Sequence, residues 1–188
     1  TICEDVAKPG QIKRLEAGEH LLESGSFSDK VYIIRTGLFK LSVGYGDMSL
    51  TVDFLLPGYV AGLVNLYHPA QYPCSISSIT KSVVYEWDRK KILELMSLMP
   101  EVNKEIRRSY SGWGTRVVER IKSLVFYTPK QRVISWVLDY HSNSAYHQNN
   151  VWEYLSEKEM AAYCNVTVDV FEFELQKLID LGSIQLNK

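Results

Sequence analysis

The stretch KVYIIRTGLFKLSVGYGDMSLTVDFLLPG, residues 30–58, decides the fold. Apolar and polar residues alternate through it, and glycines at 37, 44, 46 and 58 punctuate it, the pattern of short strands joined by tight turns. GYGD, between LFKLSV and SLTVDFL, reads as a hairpin turn. Strand-like text runs from about residue 11 to 87 and includes SISSITKSVVYEWD at 75–88. Short strands at this spacing predict an antiparallel sandwich or roll.

Toward the C-terminus the period changes. From Asp88 to Tyr127 the residues are helix formers, broken once by Pro100. Val102, Ile106, Tyr110, Trp113, Val117, Ile121 and Leu124 recur at steps of three and four, which draws one narrow apolar seam along a charged helix. A seam that long and narrow predicts a partner chain, so the protein is expected to be a homodimer. Gly112 and Gly114 flank Trp113; each weakens the helix by ~1 kcal/mol relative to alanine, or admits close approach of the partner. The basic residues of this helix, Arg116 and Arg120 among them, read mostly as its solvated face.

Beyond the seam, Thr128 is placed to cap a helix opening at Pro129. HSNSAYHQNN, residues 141–150, reads as a polar loop. Ser156 and Glu159 then have the spacing of a capping box over EKEMAAYC. Three residues, Asn165 to Thr167, join that helix to VDVFEFELQKLIDL, the spacing of a helix-turn-helix.

Composition limits the function classes. The 188 residues are 46% hydrophobic, enough to bury a core in one domain or two small ones. Net charge is −1, so no whole-chain basic excess announces nucleic acid. Cys3, Cys74 and Cys164 are scattered, which fits buried thiols in a reducing compartment rather than a disulfide framework, a zinc site or an iron–sulfur cluster. No apolar run reaches the ~20 residues that span a bilayer, and no secretory segment opens the chain. A cytoplasmic protein with no membrane association is expected. No hydrolase elbow, zinc-protease motif or phosphate loop occurs, so the protein is not expected to be an enzyme or to carry a cofactor or metal.

A strand-rich roll, a long seam helix and a C-terminal helix-turn-helix, in that order, resemble the CRP/FNR family of bacterial transcription regulators. LEAGEHLLESGSFSDKVYIIRTGLFKLSV (15–43) resembles the family's first strands, with Gly18–Glu19, Gly25 and Gly37 in place. LLPGYVAGL (55–63) is similar to its ligand-binding segment, and residues 155–184 match its helix-turn-helix frame, with Gly182 before a wing strand. The resemblance covers nearly the whole chain. It implies an α+β protein with an N-terminal antiparallel β-roll, jelly-roll-like, that senses an effector (1–99). A dimerisation helix (100–127) and a small winged helix-turn-helix that binds operator DNA (128–188) follow.

The resemblance also implies sites, and several are altered. The effector pocket would involve Tyr59, Val60, Ala61 and Gly62. In cyclic-nucleotide-binding relatives a glutamate meets the ribose and a downstream arginine the phosphate. Here Tyr59 follows Gly58, and residues 67–77 hold no arginine or lysine. A buried phosphate without a cation loses several kcal/mol, so the effector is unknown and is expected not to be cyclic AMP. Tyr59, Tyr67, His68 and Tyr72 either line a pocket for an apolar or aromatic effector or simply pack beneath a loop.

In the family frame Thr167 caps the recognition helix, with Phe171, Leu175 and Leu178 turned inward. Val168, Asp169, Glu172, Phe173 and Gln176 face the groove, joined by Lys177. Typical members carry arginine where Val168 and Phe173 stand, and glutamate at Asp169. Each lost arginine–guanine pair removes about 1–3 kcal/mol of base discrimination. From Thr128 to Lys188 five basic residues face eight acidic ones, a net of −3, which suits phosphate poorly. Two functions stay open: a regulator reading a pseudo-palindromic operator through unusual contacts, or a degenerate member whose helix-turn-helix is a protein-interaction surface anchored by Phe173.

Overall fold

The structure, a computed structural model, describes residues 10–182 apart from 143 and 150. The expected wing strand after Gly182 therefore lies outside the described residues, as does Cys3.

Among the described residues eight strands come first: β1 (Gln11–Leu15), β2 (His20–Leu22), β3 (Lys30–Thr36), β4 (Phe39–Tyr45), β5 (Met48–Leu55), β6 (Val60–Ala61), β7 (Ser75–Ser78) and β8 (Ser82–Asp88). They form two four-stranded sheets, ordered β1-β8-β3-β6 and β2-β7-β4-β5, with every pairing antiparallel. GYGD is the hairpin expected: Tyr45 pairs with Met48, and Gly46 takes φ +57°. A two-residue loop needs that left-handed geometry to follow the strand twist. Tyr32, Ile34, Phe39, Leu41, Leu55 and Val84 meet in the core of the roll.

Strand β3 departs from simple alternation. Val31, Tyr32, Ile33 and Ile34 of β3 are all buried. Tyr32 and Ile34 enter the inner core, while Val31 and Ile33 join a second cluster with Trp87, Ile92, Met96, Val102 and Ile106. Helix α1 (Arg89–Leu98) and the start of α2 (Pro100–Phe126) supply the last four of these. The sheet is covered on both faces there, so a continuous apolar run is what the strand needs. Pro100 opens α2, where its missing N–H costs nothing.

The chain divides into two compact units, Thr1–Val117 and Val118–Lys188. The division falls inside α2, whereas the sequence reading drew boundaries after 99 and 127. In the second unit α3 (Pro129–Ser142) starts under the expected cap: Gln131 N donates to Thr128 Oγ1 at 3.3 Å, and Thr128 N donates to Gln131 Oε1 at 2.9 Å. Residues 141–150 are largely helical rather than a polar loop, with α4 at Ser144–Gln148. The reason is Tyr146, 5% exposed, which packs 5.7 Å from Trp136 and 6.4 Å from Tyr140. One aromatic anchor outweighs its polar neighbours. A short α5 (Val151–Tyr154) leads to α6 (Glu157–Cys164) and α7 (Val168–Asp180).

Candidate DNA-reading helix, helical strip and effector cavity

The α6–α7 pair is built by its caps. Ser156 and Glu159 close a reciprocal capping box at the start of α6. Asn165 ends that helix at φ +51°, a left-handed stop that asparagine tolerates. Thr167 then caps α7, its Oγ1 accepting from Val170 N at 3.4 Å. Phe171 and Leu175 are buried; Leu178, expected inward with them, is only half-buried.

On the other face Asp169, Glu172, Phe173, Gln176 and Lys177 are exposed, and Val168 is half-buried. Two of these are engaged within the helix. Gln176 Nε2 donates to Asp180 Oδ1 at 2.7 Å, and Lys177 Nζ lies 3.9 Å from the centre of the Phe173 ring and 3.6 Å from Glu174 Oε1. The expected lysine contact is thus folded back over the expected apolar one. Glu172 is raised above its ordinary carboxylate range by a hydrogen bond shared with Glu157 and by the charges of Glu157 and Asp169. The face is acidic in structure as well as in count.

Arginines hold the turn of this motif, which sequence reading missed. Arg132 donates from Nε to Cys164 O at 2.7 Å, from Nη2 to Asn165 O at 3.0 Å and from Nη1 to Tyr127 O at 2.8 Å. Arg120 is buried rather than solvated: it donates to Tyr163 O and stacks 4.4 Å from the Tyr163 ring centre. Three successive carbonyls at the end of α6 thereby meet two cations, which satisfies orphan acceptors and complements the helix dipole. Burial pushes the nearby Cys164 thiol up to about 12, far from the thiolate that redox or metal chemistry requires.

Along α2 the expected seam separates into two uses. Val102 and Ile106 are not available to a partner, because they complete the cluster on the outer face of the first sheet. Trp113 is half-buried 5.9 Å from Tyr110, and Val117 and Leu124 are half-buried. Tyr110, Val118, Ile121 and Val125 stay exposed. The exposed apolar strip is shorter than the sequence seam and lies toward the C-terminal half of the helix.

Tyr59, Val60, Ala61 and Gly62 line one cavity inside the roll together with Tyr72 and Cys74. Gly62 is required there, since at φ +95° an added Cβ would lie 2.6 Å from the Lys30 carbonyl oxygen. Tyr67 and His68 line a different cavity, so the four residues grouped in the sequence do not form one pocket. The inner cavity holds only about 50 Å³. Tyr72 Oη, buried in it, has no hydrogen-bond partner among the described residues, and burial raises both Tyr72 and Cys74 above their ordinary ranges. The cation at its edge is Arg116, from α2. Its Nε donates to the buried carboxylate of Asp53 at 2.9 Å, and its guanidinium lies 4.6 Å from the Tyr59 ring centre. Asp53 Oδ1 also accepts from Phe54 N at 3.0 Å. No signal in the sequence links positions 63 residues apart.

Residues 12–98 match the family profile of the cyclic nucleotide-binding domain. No curated protein sequence matches the chain. Among solved structures, FixK2 from Bradyrhizobium japonicum is 17% identical, with a TM-score of 0.81 over 95% of this chain and 89% of that one. The c-di-GMP-responsive global regulator CLP of Xanthomonas campestris is 14% identical, with a TM-score of 0.77 over 98% of this chain and 94% of that one. A CRP/FNR-family transcriptional regulator from Thermus thermophilus is 17% identical, with a TM-score of 0.71 over 95% of this chain and 90% of that one. Residues 12–98 are thus similar to the cyclic nucleotide-binding domain, and the chain as a whole shares the fold of these regulators.

Proposed function

We propose that the protein is a homodimeric transcription regulator whose α7 docks in the DNA major groove and whose roll answers a signal other than a cyclic nucleotide. The observation that carries this reading is the capped α6–α7 pair, with Phe171 and Leu175 buried and the opposite face turned to solvent. Thr167 at the helix start supports a phosphate contact, because helix N-termini favour anions. The groove face is Val168, Asp169, Glu172, Phe173, Gln176 and Lys177. Asp169 accepts from a cytosine amino group, and Val168 and Phe173 meet thymine methyls. Binding is weaker than in arginine-bearing relatives, with a shallower salt dependence, since fewer counterions are released. Phe173→Arg is expected to tighten binding to all duplexes, and Asp169→Ala to relax preference at one position of each half-site. Fluorescence anisotropy on matched duplexes at low salt checks both; variants indistinguishable from wild type remove α7 from the interface.

Dimerisation is assigned to Tyr110, Trp113, Val117, Ile121 and Leu124, joined by Val118 and Val125, as an exposed apolar strip on a long helix favours self-association. Trp113 faces the inner cavity, so Ile121, 54% exposed, is the cleaner probe. Ile121→Glu would bury a charge in the interface and is expected to yield folded monomers. Sedimentation that still shows the wild-type dimer would count against the strip.

Effector chemistry follows from the inner cavity. Small-molecule sites usually measure ~300–1,000 Å³, and the roll interior offers about 50 Å³ with its one edge cation paired to Asp53. Calorimetry with cyclic AMP and cyclic GMP at micromolar ligand is expected to show no heat of binding. A micromolar dissociation constant would overturn this part of the reading.

A further inference from the structure

A larger cavity lies outside the roll, on the outer face of the first sheet, and holds about 330 Å³. Its floor is apolar: Ile33 of β3, Val60 of β6, Ile92 of α1, and Val102 and Ile106 of α2. Its wall is one stripe of α2, Arg108, Gly112 and Arg116, at four-residue steps that bring successive positions to one helix face. Tyr59, Val60, Ser109 and Arg116 line both this cavity and the inner one, so they form the partition between them, with Arg116 stacked on Tyr59 and held by Asp53.

The geometry points to this outer cavity as a binding site for an amphipathic monocarboxylate, an apolar chain or ring ending in one carboxylate. The volume falls within the ~300–1,000 Å³ of small-molecule sites, with the apolar floor and few polar groups typical of them. Gly112 keeps the wall open. In mid-helix it costs stability relative to alanine, and an added Cβ would meet nothing nearer than Arg116 Nη1 at 3.7 Å. Among the described residues no side-chain or backbone neighbour outside its own helical turn demands glycine here, and Arg108 and Arg116 flank the space it leaves. Ser109 adds a hydroxyl to the same wall.

The wall is rich in donors, and this selects the polar end of the ligand. One acidic group, Glu105, lines the same cavity and pairs loosely with Arg108 at 4.0 Å, beyond hydrogen-bond reach, so two arginines still outnumber one carboxylate there. Arg116 already shows the preference of this wall by holding the Asp53 carboxylate. A carboxylate only accepts, and it matches the planar donor fork of arginine in a way that an alcohol or an ammonium does not.

The test is calorimetry on the full chain with sodium octanoate and with 1-octanol as its uncharged counterpart; no DNA takes part, so the outcome is separate from that of the regulator reading. Octanoate is expected to saturate at one molecule per protomer, and octanol to bind about tenfold more weakly, as fits the loss of a charge-assisted pair. Gly112→Leu fills the cavity while favouring the helix, and Arg108→Gln removes an exposed charge; circular dichroism should show both folded. Each is expected to weaken octanoate by about tenfold or more, and Arg108→Gln to leave octanol unchanged. Cys74→Leu, which narrows the inner cavity alone, should leave octanoate binding intact. The proposal is overturned by absence of saturation, by equal affinity for octanoate and octanol, or by binding lost in Cys74→Leu and kept in Gly112→Leu.

Discussion

Replacing Arg116 by methionine is expected to remove about 3–5 kcal/mol from the unfolding free energy of the first unit, the cost of leaving a buried carboxylate without its cation. Asp53 is 3% exposed, and its Oδ2 accepts from Arg116 Nε at 2.9 Å. Methionine keeps the stem and much of the contact with Tyr59 but supplies neither charge nor donor. The backbone N–H of Phe54 remains as a partner for Oδ1, so the loss falls on the ion pair. The double variant Asp53→Asn with Arg116→Met should recover most of the stability, because the neutral amide still accepts from Phe54 and no charge stays buried. Urea unfolding followed by circular dichroism decides it. A loss below about 1 kcal/mol would place this pair with surface ion pairs of little worth.

Trp136→Ala should cost the second unit about 3–5 kcal/mol, the range for truncating a large buried aromatic side chain. Trp136 is 1% exposed and stands 5.7 Å from the Tyr146 ring and 4.9 Å from the Tyr163 ring, so it joins α3 to α4 and α6. Tyr163 also carries the stacked Arg120. Loss of the indole removes the surface against which α6 is seated, and α7 is anchored on the same unit through Phe171. Hydrogen exchange should quicken through α6 and α7 while the strands keep their protection. Trp136→Phe should retain more than half of the stability. Unchanged protection in α6 and α7 of the alanine variant would show that the cluster does not hold the motif.

What could be read from the sequence was what neighbouring residues encode. The hairpin at Gly46–Asp47, the helix break at Pro100, the capping box of Ser156 and Glu159 and the cap at Thr167 are local chemistry, and each is present in the structure. Long-range partners were not legible. Val102 and Ile106 have the period of a partner-facing seam, yet the outer face of β3 takes them first, because a neighbour in the same unit leaves them nothing to offer another chain. Arg120 looks like any solvated helix arginine until the carbonyls ending α6 are brought to it. Residues 141–150 read as a loop by composition, and only the burial of Tyr146 shows why they are helical. The Arg116–Asp53 pair joins a helix to a strand, and its two residues carry no shared pattern.

The acidic character of the reading face was legible from composition and is sharpened by the structure. Glu157 and Asp169 raise Glu172 above its ordinary carboxylate range, and Lys177 turns toward Phe173 and Glu174 instead of outward. Under the proposed function, base readout would come from acceptors and apolar groups rather than from guanidinium donors. The preference should run toward cytosine amino groups and thymine methyls in each half-site.

The measurement that bears most directly on the proposed function is selection from random duplexes by this 188-residue chain at low salt. A two-fold dimer with a helix in each successive major groove should enrich a pseudo-palindrome whose half-sites are centred one helical turn apart, about 34 Å. Enrichment of no sequence, together with retention on the duplex that is no greater than that of a neutral control protein, would contradict it and leave α6–α7 as a surface for another protein.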